Sequence, residues 1–471
     1  MAPHAPAMRL CLLVSLVLGL RLLGVEPSAQ DARESRKDTE YADDPQHRWN
    51  RLHAAFYQRE VETIDEQQRF PMGPDILDPP LGIHPRFLLE EEPFQQCNAV
   101  LDEFLAAHGE KDFAAPLKRV LLQRDLWAVF DVLQTEEDEG LRNFGDTPPP
   151  FTPAQQERRA ILSRKVARVI AALALPRAPL ETLPQTYALA VKSGTFRATL
   201  AEQAPADYLP ADLFAEKSPW LEAAPGGDVS LHTHVVSGRS VFRIFYRPPV
   251  DAPGAAKFAD WVQQQRQVRA EPEDPSGRKW EALTQSLPVG SQFLLLREVV
   301  AVDDQWQLVP TRIVESVQVR VYRAAPGPEA GPKEGADGGA AYHAAAACQL
   351  FEEFELDRRR LFRGESGGLK ATPAGARRHM GYTALGRLAV NRQGRALTPD
   401  AFPRNCFVCH VAGEQRAPGP KVPVIIGSLG QAIGLLPSPW DDTSARVTLQ
   451  WKAKQKNFQR LREIATTPAG P

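Results

Sequence analysis

The chain has 471 residues, of which 43% are hydrophobic, so it is long enough for two or three domains with packed cores. Its 56 basic and 58 acidic residues nearly balance at a net charge of −2, which argues against nucleic acid as a partner. The 42 prolines are about twice the usual share and predict many rigid turns and loops.

Residues 1–30 have the pattern of a secretory signal peptide. A short basic start at Arg9 precedes an apolar run, and small residues near Ala29 offer a cleavage point. A membrane anchor is the alternative, but Arg21 interrupts the run and leaves it short for a helix that spans a bilayer. We therefore expect a periplasmic or secreted protein with no stable membrane span after cleavage.

The next part of the chain is polar and then becomes periodic. Residues 31–47 are rich in charges of both signs and predict a disordered or exposed segment. Residues 48–225 carry apolar stripes at helical spacing, which predict an α-helical domain. Its histidines are scattered singly, which is typical of surface or structural positions, and no catalytic constellation is evident.

Two helices of this domain have recognisable limits. One is predicted from Arg48 to Ile64, on an apolar face. Another is predicted from Pro153 to about Leu173, because Thr152 is a good N-cap and proline suits the first helical position.

Residues 226–363 change to a period of two and predict an α+β segment with a mostly antiparallel sheet. Strands are predicted over 291–302, 305–309 and 316–322, with a turn at Asp303-Asp304. The stretch from Leu350 is ambiguous between helix and strand, and we favour a strand that pairs with 316–322. The low-complexity residues 324–341 then form a flexible loop between the two strands.

Two histidines in this segment could share a metal ion. His232 and His234 alternate with apolar residues and lie on one face of a predicted strand. No third ligand can be identified, so a polar, solvent-facing side of the strand is the favoured interpretation.

The most specific motif is C-x-x-C-H, formed by Cys406, Cys409 and His410 in the last predicted segment, 364–471. Two thiols at this spacing can each form a thioether to a haem vinyl group, and the adjacent histidine can supply the proximal iron ligand. The chain has only 5 cysteines, so a chance match is improbable. A redox disulfide or half of a zinc site are the alternatives, but no second C-x-x-C and no βαβ pattern accompany the motif.

In this motif the sequence resembles the c-type cytochromes. The layout, with one motif near the C-terminus of a longer exported chain, is similar to that of some exported bacterial proteins. The resemblance implies one haem c, held by Cys406 and Cys409, with His410 as proximal ligand, in a mainly helical, loop-rich segment. Haem c is attached outside the cytoplasm, so the export signal and the motif support each other.

The sequence does not determine the sixth iron ligand. Class I c-type cytochromes usually have a methionine downstream of the motif, but neither methionine nor histidine follows His410 here. His379 and Met380 are the nearest upstream candidates, then His343, and a five-coordinate or water-bound iron is the alternative. The remaining cysteines of the exported chain, Cys97 and Cys348, are a candidate disulfide or two separate thiols.

The expected fold class is therefore α+β: a helical N-terminal domain, a mostly antiparallel β segment and a C-terminal haem segment. The expected function is electron transfer with an unknown redox partner protein. A haem enzyme of peroxidase type with an open iron site, or a non-catalytic haem sensor or interaction protein, stay open as alternatives. The sequence leaves open whether the protein is an enzyme.

Overall fold

The structure is a computed structural model. It describes residues 44, 46–62, 71–76, 88–134, 151–200, 207–224, 239–249, 289–322, 349–371, 434–437 and 442–467. Within these ranges the fold is α+β, as predicted, with helices concentrated before residue 193 and an antiparallel sheet after residue 220.

The described helices fall into an N-terminal and a C-terminal group. They are α1 Arg48–Tyr57, α2 Glu91–Ala106, α3 Pro116–Gln134, α4 Pro153–Leu173, α5 Arg177–Glu181, α6 Thr186–Lys192, α7 Arg358–Phe362, α8 Thr443–Ala453 and α9 Lys456–Thr466. The prediction for α4 is confirmed. Thr152 accepts a hydrogen bond from the backbone N–H of Gln155, whose side chain accepts one from Thr152, so a reciprocal capping box starts the helix.

The described strands are β1 Gln58–Glu62, β2 Pro71–Ile76, β3 Leu221–Ala224, β4 Ser240–Arg247, β5 Gln292–Val302, β6 Leu308–Tyr322, β7 Gln349–Leu356, β8 Leu369–Ala371 and β9 Gly434–Pro437. β1 and β2 form a two-stranded sheet. The others form a seven-stranded sheet in the order β8-β7-β6-β5-β4-β3-β9, in which every pair is antiparallel. The favoured pairing of the strand after Leu350 with 316–322 is confirmed by β7 and β6.

Three predicted limits were wrong. The helix from Arg48 ends at Tyr57, because residues 58–62 pair with β2 instead of continuing the helix. The two strands predicted within 305–322 are one strand, β6, which follows the predicted turn at Asp303. The sequence also predicts one helix from Asp442 to Ala465, but this stretch is two helices, because Gln455 is extended and breaks the helix between α8 and α9.

The long β5–β6 hairpin joins the sheet to the helices. Its turn end, Val299 to Val302 with Ile313, is buried in the same hydrophobic cluster as α1 to α4 and α9. Its other end lies in a second cluster with α6 and Trp220. Gln123 of α3 binds the hairpin through two hydrogen bonds. Its side-chain amide accepts from the backbone N–H of Val302 at 2.9 Å and donates to the carbonyl of Val302 at 2.9 Å.

Candidate functional site

The residues of the predicted haem site lie outside the described residues. This holds for the motif cysteines and histidine, for both candidate distal ligands and for one half of the candidate disulfide: Cys406, Cys409, His410, His379, Met380 and Cys348. His232, His234 and His343 lie outside them too. The roles of all these residues therefore stay predictions.

The structure does describe the two strands that flank the motif in sequence. β8 ends at Ala371 and β9 begins at Gly434, and these strands form opposite edges of the seven-stranded sheet. Neighbouring strands are about 4.8 Å apart, so the two edges are separated by roughly 29 Å. The segment 372–433, which contains the motif, thus starts at one edge of the sheet and returns at the other.

Cys97 is buried on α2. Its Sγ donates to the carbonyl of Ala55 on α1 at 3.3 Å, within the core between these helices. The Cys97–Cys348 disulfide stays a prediction, since only one of the two residues is described.

The histidines of the described helical region fit the predicted structural or surface roles. His53 is buried on α1 and stacks on Tyr57, with 5.1 Å between ring centroids. Burial, with a smaller effect from the charge of Arg358, lowers the pKa of His53 to about 3. His108 is exposed and lies 3.6 Å from a carboxylate oxygen of Glu110.

The low pKa of His53 predicts a loss of stability in acid. Between about pH 6.5 and 3 the unfolded chain binds a proton at this position and the folded protein does not, so stability falls as the pH falls. Between pH 7 and 5 this amounts to about 2 kcal/mol. We expect His53→Phe to remove that part of the decrease in urea unfolding, and the exposed control His108→Gln to retain it. An equal decrease in both variants would contradict the prediction.

The most unusual feature among the described residues is a set of buried charges between α3, the sheet and the C-terminal helices. Asp125 of α3 accepts two hydrogen bonds from the guanidinium of Arg358, at 2.6 Å for the Nη2–Oδ1 pair. Both side chains are buried. Burial raises the pKa of Asp125, while Arg358 opposes the rise. The pair fixes α7, which follows β7, against α3.

A second pair links α3 to the sheet. Nε of Arg124 lies 2.9 Å from Oε1 of Glu315 on β6, and the hydroxyl of Ser240 on β4 donates to the same carboxylate. Burial by itself raises the pKa of Glu315, but the charge of Arg124 and the hydrogen bond from Ser240 lower it overall. Glu315 is therefore a carboxylate even though its side chain is only 10% exposed.

Asp131, also on α3, holds the C-terminal helices. Its carboxylate accepts from Arg239 just before β4, from Nζ of Lys452 on α8 at 3.2 Å and from the amide of Asn457 on α9 at 2.7 Å. The Lys452 ammonium also lies 5.0 Å from the ring centroid of Trp127. Burial lowers the pKa of Lys452 to about 8, with Asp131 opposing the shift.

A further set of charges lies along β4 and the start of α8. Arg243 lies 3.0 Å from Glu222 of β3, 3.2 Å from Glu298 of β5 and 3.3 Å from Asp442. Asp442 also accepts from Arg312 of β6 at 2.9 Å. The chain that returns from the 372–433 segment is thus held by ion pairs at both ends of α8.

This network of buried charges was not predicted from the sequence. A signal was present, since Arg124, Asp125 and Asp131 lie in the part of α3 from Val120 to Leu133, where apolar residues occur on all sides of the helix, and such helices are buried. No group of three or more His, Cys, Asp or Glu in the described ranges could hold a metal ion. What the network does is fix the position of α8 and α9.

No helix in the described part of the chain is long and apolar enough to cross a membrane. Comparisons of the chain with protein-family models, with curated proteins and with solved structures gave no match.

Proposed function

We propose that the protein is an exported mono-haem c-type cytochrome-like protein that transfers electrons. The observation that carries the proposal is the C-x-x-C-H motif at Cys406, Cys409 and His410, behind a predicted signal peptide. The two cysteines would hold one haem c through thioethers, and His410 would bind the iron. A bound haem would supply one-electron redox chemistry at the iron.

The described fold bears on the two ends of the segment that contains the motif. The segment with the motif is tied to paired strands at both ends, and α8 behind it is held by a buried ion pair of Lys452 with Asp131 and a half-buried one of Asp442 with Arg243. A redox group needs a fixed position relative to its partner, and rigid elements supply that better than free loops. If a side chain is the sixth ligand, His379 or Met380 would supply it; the absence of both residue types after His410 leaves an upstream ligand and an open iron site as the alternatives.

Covalent haem gives the first test. The full chain is expressed with the machinery for c-type haem attachment and analysed by mass spectrometry after denaturation. The expected mass is that of a chain cleaved near Ala29 plus one haem. Cys406→Ala with Cys409→Ala should lose the haem mass completely, whereas Cys348→Ala, a cysteine outside the motif, should retain it. Haem that separates from the wild-type chain on denaturation would refute the proposal.

The alternative class is a haem enzyme of peroxidase type or a haem sensor. This alternative is favoured by the lack of a methionine or histidine after His410, because such a sequence is compatible with an open iron site. A spectrum with and without carbon monoxide separates the classes. A low-spin haem that does not bind carbon monoxide supports electron transfer, and a carbon monoxide complex supports the alternatives.

A further inference from the structure

The helix α8 is docked mainly through polar side chains. Of its side chains that the structure describes, the buried ones are Ser444, Ala445, Thr448 and Lys452. Three of these four are polar and the fourth is alanine, whereas the next helix, α9, buries Phe458 and Leu461. Burial of large apolar side chains drives the docking of a helix, and burial of a hydroxyl or an ammonium group opposes it. Docking therefore stabilises α8 less than it stabilises α9.

One of these polar groups has no replacement for its contacts with water. Oγ1 of Thr448 is buried, and the described part of the chain contains no hydrogen-bond partner for it. A buried hydroxyl without a partner is destabilising, and it regains hydrogen bonds when water reaches it. The Lys452 ammonium is paired with Asp131, but a buried ion pair stabilises little because both charges lose their hydration.

The start of α8 lacks a feature that stabilises helix ends. Aspartate is a good N-cap residue, but the side chain of Asp442 makes no capping hydrogen bond. Its carboxylate pairs with Arg243 and Arg312 instead. Its φ of 60° lies in the left-handed region, which residues other than glycine rarely adopt. These ion pairs orient the start of α8, but the helix does not have a side-chain cap from Asp442.

We propose that α8 is a strap that opens: it separates from the sheet in a local transition, while α9 stays packed on α3 and α4. Gln455, which is already extended between the two helices, would be the hinge. Polar contacts suit such an element, because they fix its position when it is closed and are replaced by water when it is open. Opening would release Asp442, where the chain returns from the 372–433 segment, from Arg243 and Arg312. This inference does not depend on the proposed haem function.

The test is hydrogen exchange of the full chain at pH 7, followed by mass spectrometry at several urea concentrations below the unfolding transition. The amides of α8 should exchange at least about tenfold faster than those of α9. Their rate should depend only weakly on urea, because opening exposes little apolar surface, whereas α9 should show the stronger dependence of global unfolding. Equal exchange of the two helices overturns the proposal. So does faster exchange of α9, which fraying from the C-terminal side would give.

Thr448→Val tests the physical cause. Valine has nearly the shape of threonine, so the substitution removes the hydroxyl without a partner and preserves the packing. Exchange of α8 should slow by about tenfold. The matched control is Thr466→Val on α9, where the hydroxyl is exposed and donates to the carbonyl of Arg462, and exchange of α8 should not change. If Thr448→Val does not slow the exchange of α8, or if the control slows it equally, the polar interface does not cause the opening and the proposal fails.

Thiol labelling of the folded full chain gives an independent measurement. Thr448→Cys and Ser163→Cys each place a thiol at a buried position, the first on α8 and the second on α4. Mass spectrometry of peptides identifies the labelled position. The thiol at position 448 should react at least about tenfold faster than the thiol at position 163. Equal rates would mean that α8 opens only when the whole protein unfolds, and would overturn the proposal.

Discussion

Arg358→Leu is expected to destabilise the protein by about 3–5 kcal/mol, because it leaves the carboxyl group of Asp125 buried without its bidentate partner. Asp125 is 2% exposed, so water cannot replace the guanidinium. The substitution also removes the contact of Arg358 with the ring of Trp49, at 5.8 Å from its centroid. Urea unfolding followed by circular dichroism would measure the loss.

The matched control is Arg363→Leu, at an exposed arginine just after α7, which should change the stability by less than about 0.5 kcal/mol. A second variant separates the lost charge balance from lost packing. Asp125→Leu combined with Arg358→Leu removes both charges, and should be more stable than Arg358→Leu alone. An Arg358→Leu protein as stable as the control would show that the pair does not exist in solution.

The parts of the fold that the sequence predicted are those set by local chemistry. The start of α4 follows from Thr152, Pro153 and Gln155, which lie within four residues of one another. The pairing of β7 with β6 was favoured over a helix because Leu350, Phe354 and Leu356 recur at even spacing and can face the alternating valines of β6. Such signals depend on residues that are close in sequence, so they can be recognised before the fold is known.

The buried network could not be predicted in the same way. Asp131 and Arg239 are 108 positions apart, and Asp125 and Arg358 are 233 positions apart. A charged residue in a helix is usually solvated, and only the distant partner makes its burial favourable. The break between α8 and α9 has the same origin, since it lets Lys452 and Asn457 both reach Asp131.

The haem ligands, in contrast, were predicted from one short motif. The spacing of Cys406, Cys409 and His410 is the one that covalent haem attachment would require, so the motif is informative without any fold. The sixth ligand has no such spacing. In a haem protein it would depend on the folding of the segment between β8 and β9, and the sequence therefore leaves His379, Met380 and an open site as alternatives.

Asp131→Asn is expected to have an effect as large as that of Arg358→Leu. The substitution keeps the shape of the side chain but leaves Arg239 and Lys452 buried without the carboxylate that they share. We expect a loss of about 3–5 kcal/mol at pH 6, measured by urea unfolding. The loss should be smaller at pH 8.5. Without Asp131 the pKa of Lys452 falls below about 8, and the folded variant gains stability as it releases this proton while the unfolded chain keeps it.

Asp102→Asn is the matched control, because Asp102 pairs with Lys165 at 2.5 Å on the surface and is 55% exposed. Such a pair contributes at most about 1 kcal/mol, so the control should be nearly neutral. Adding Lys452→Met to Asp131→Asn removes one of the two unpaired cations and should restore about 1–3 kcal/mol. If the double variant is no more stable than Asp131→Asn, Lys452 is not held by Asp131. The C-terminal helices would then be fixed by their apolar contacts at Phe458 and Leu461 instead.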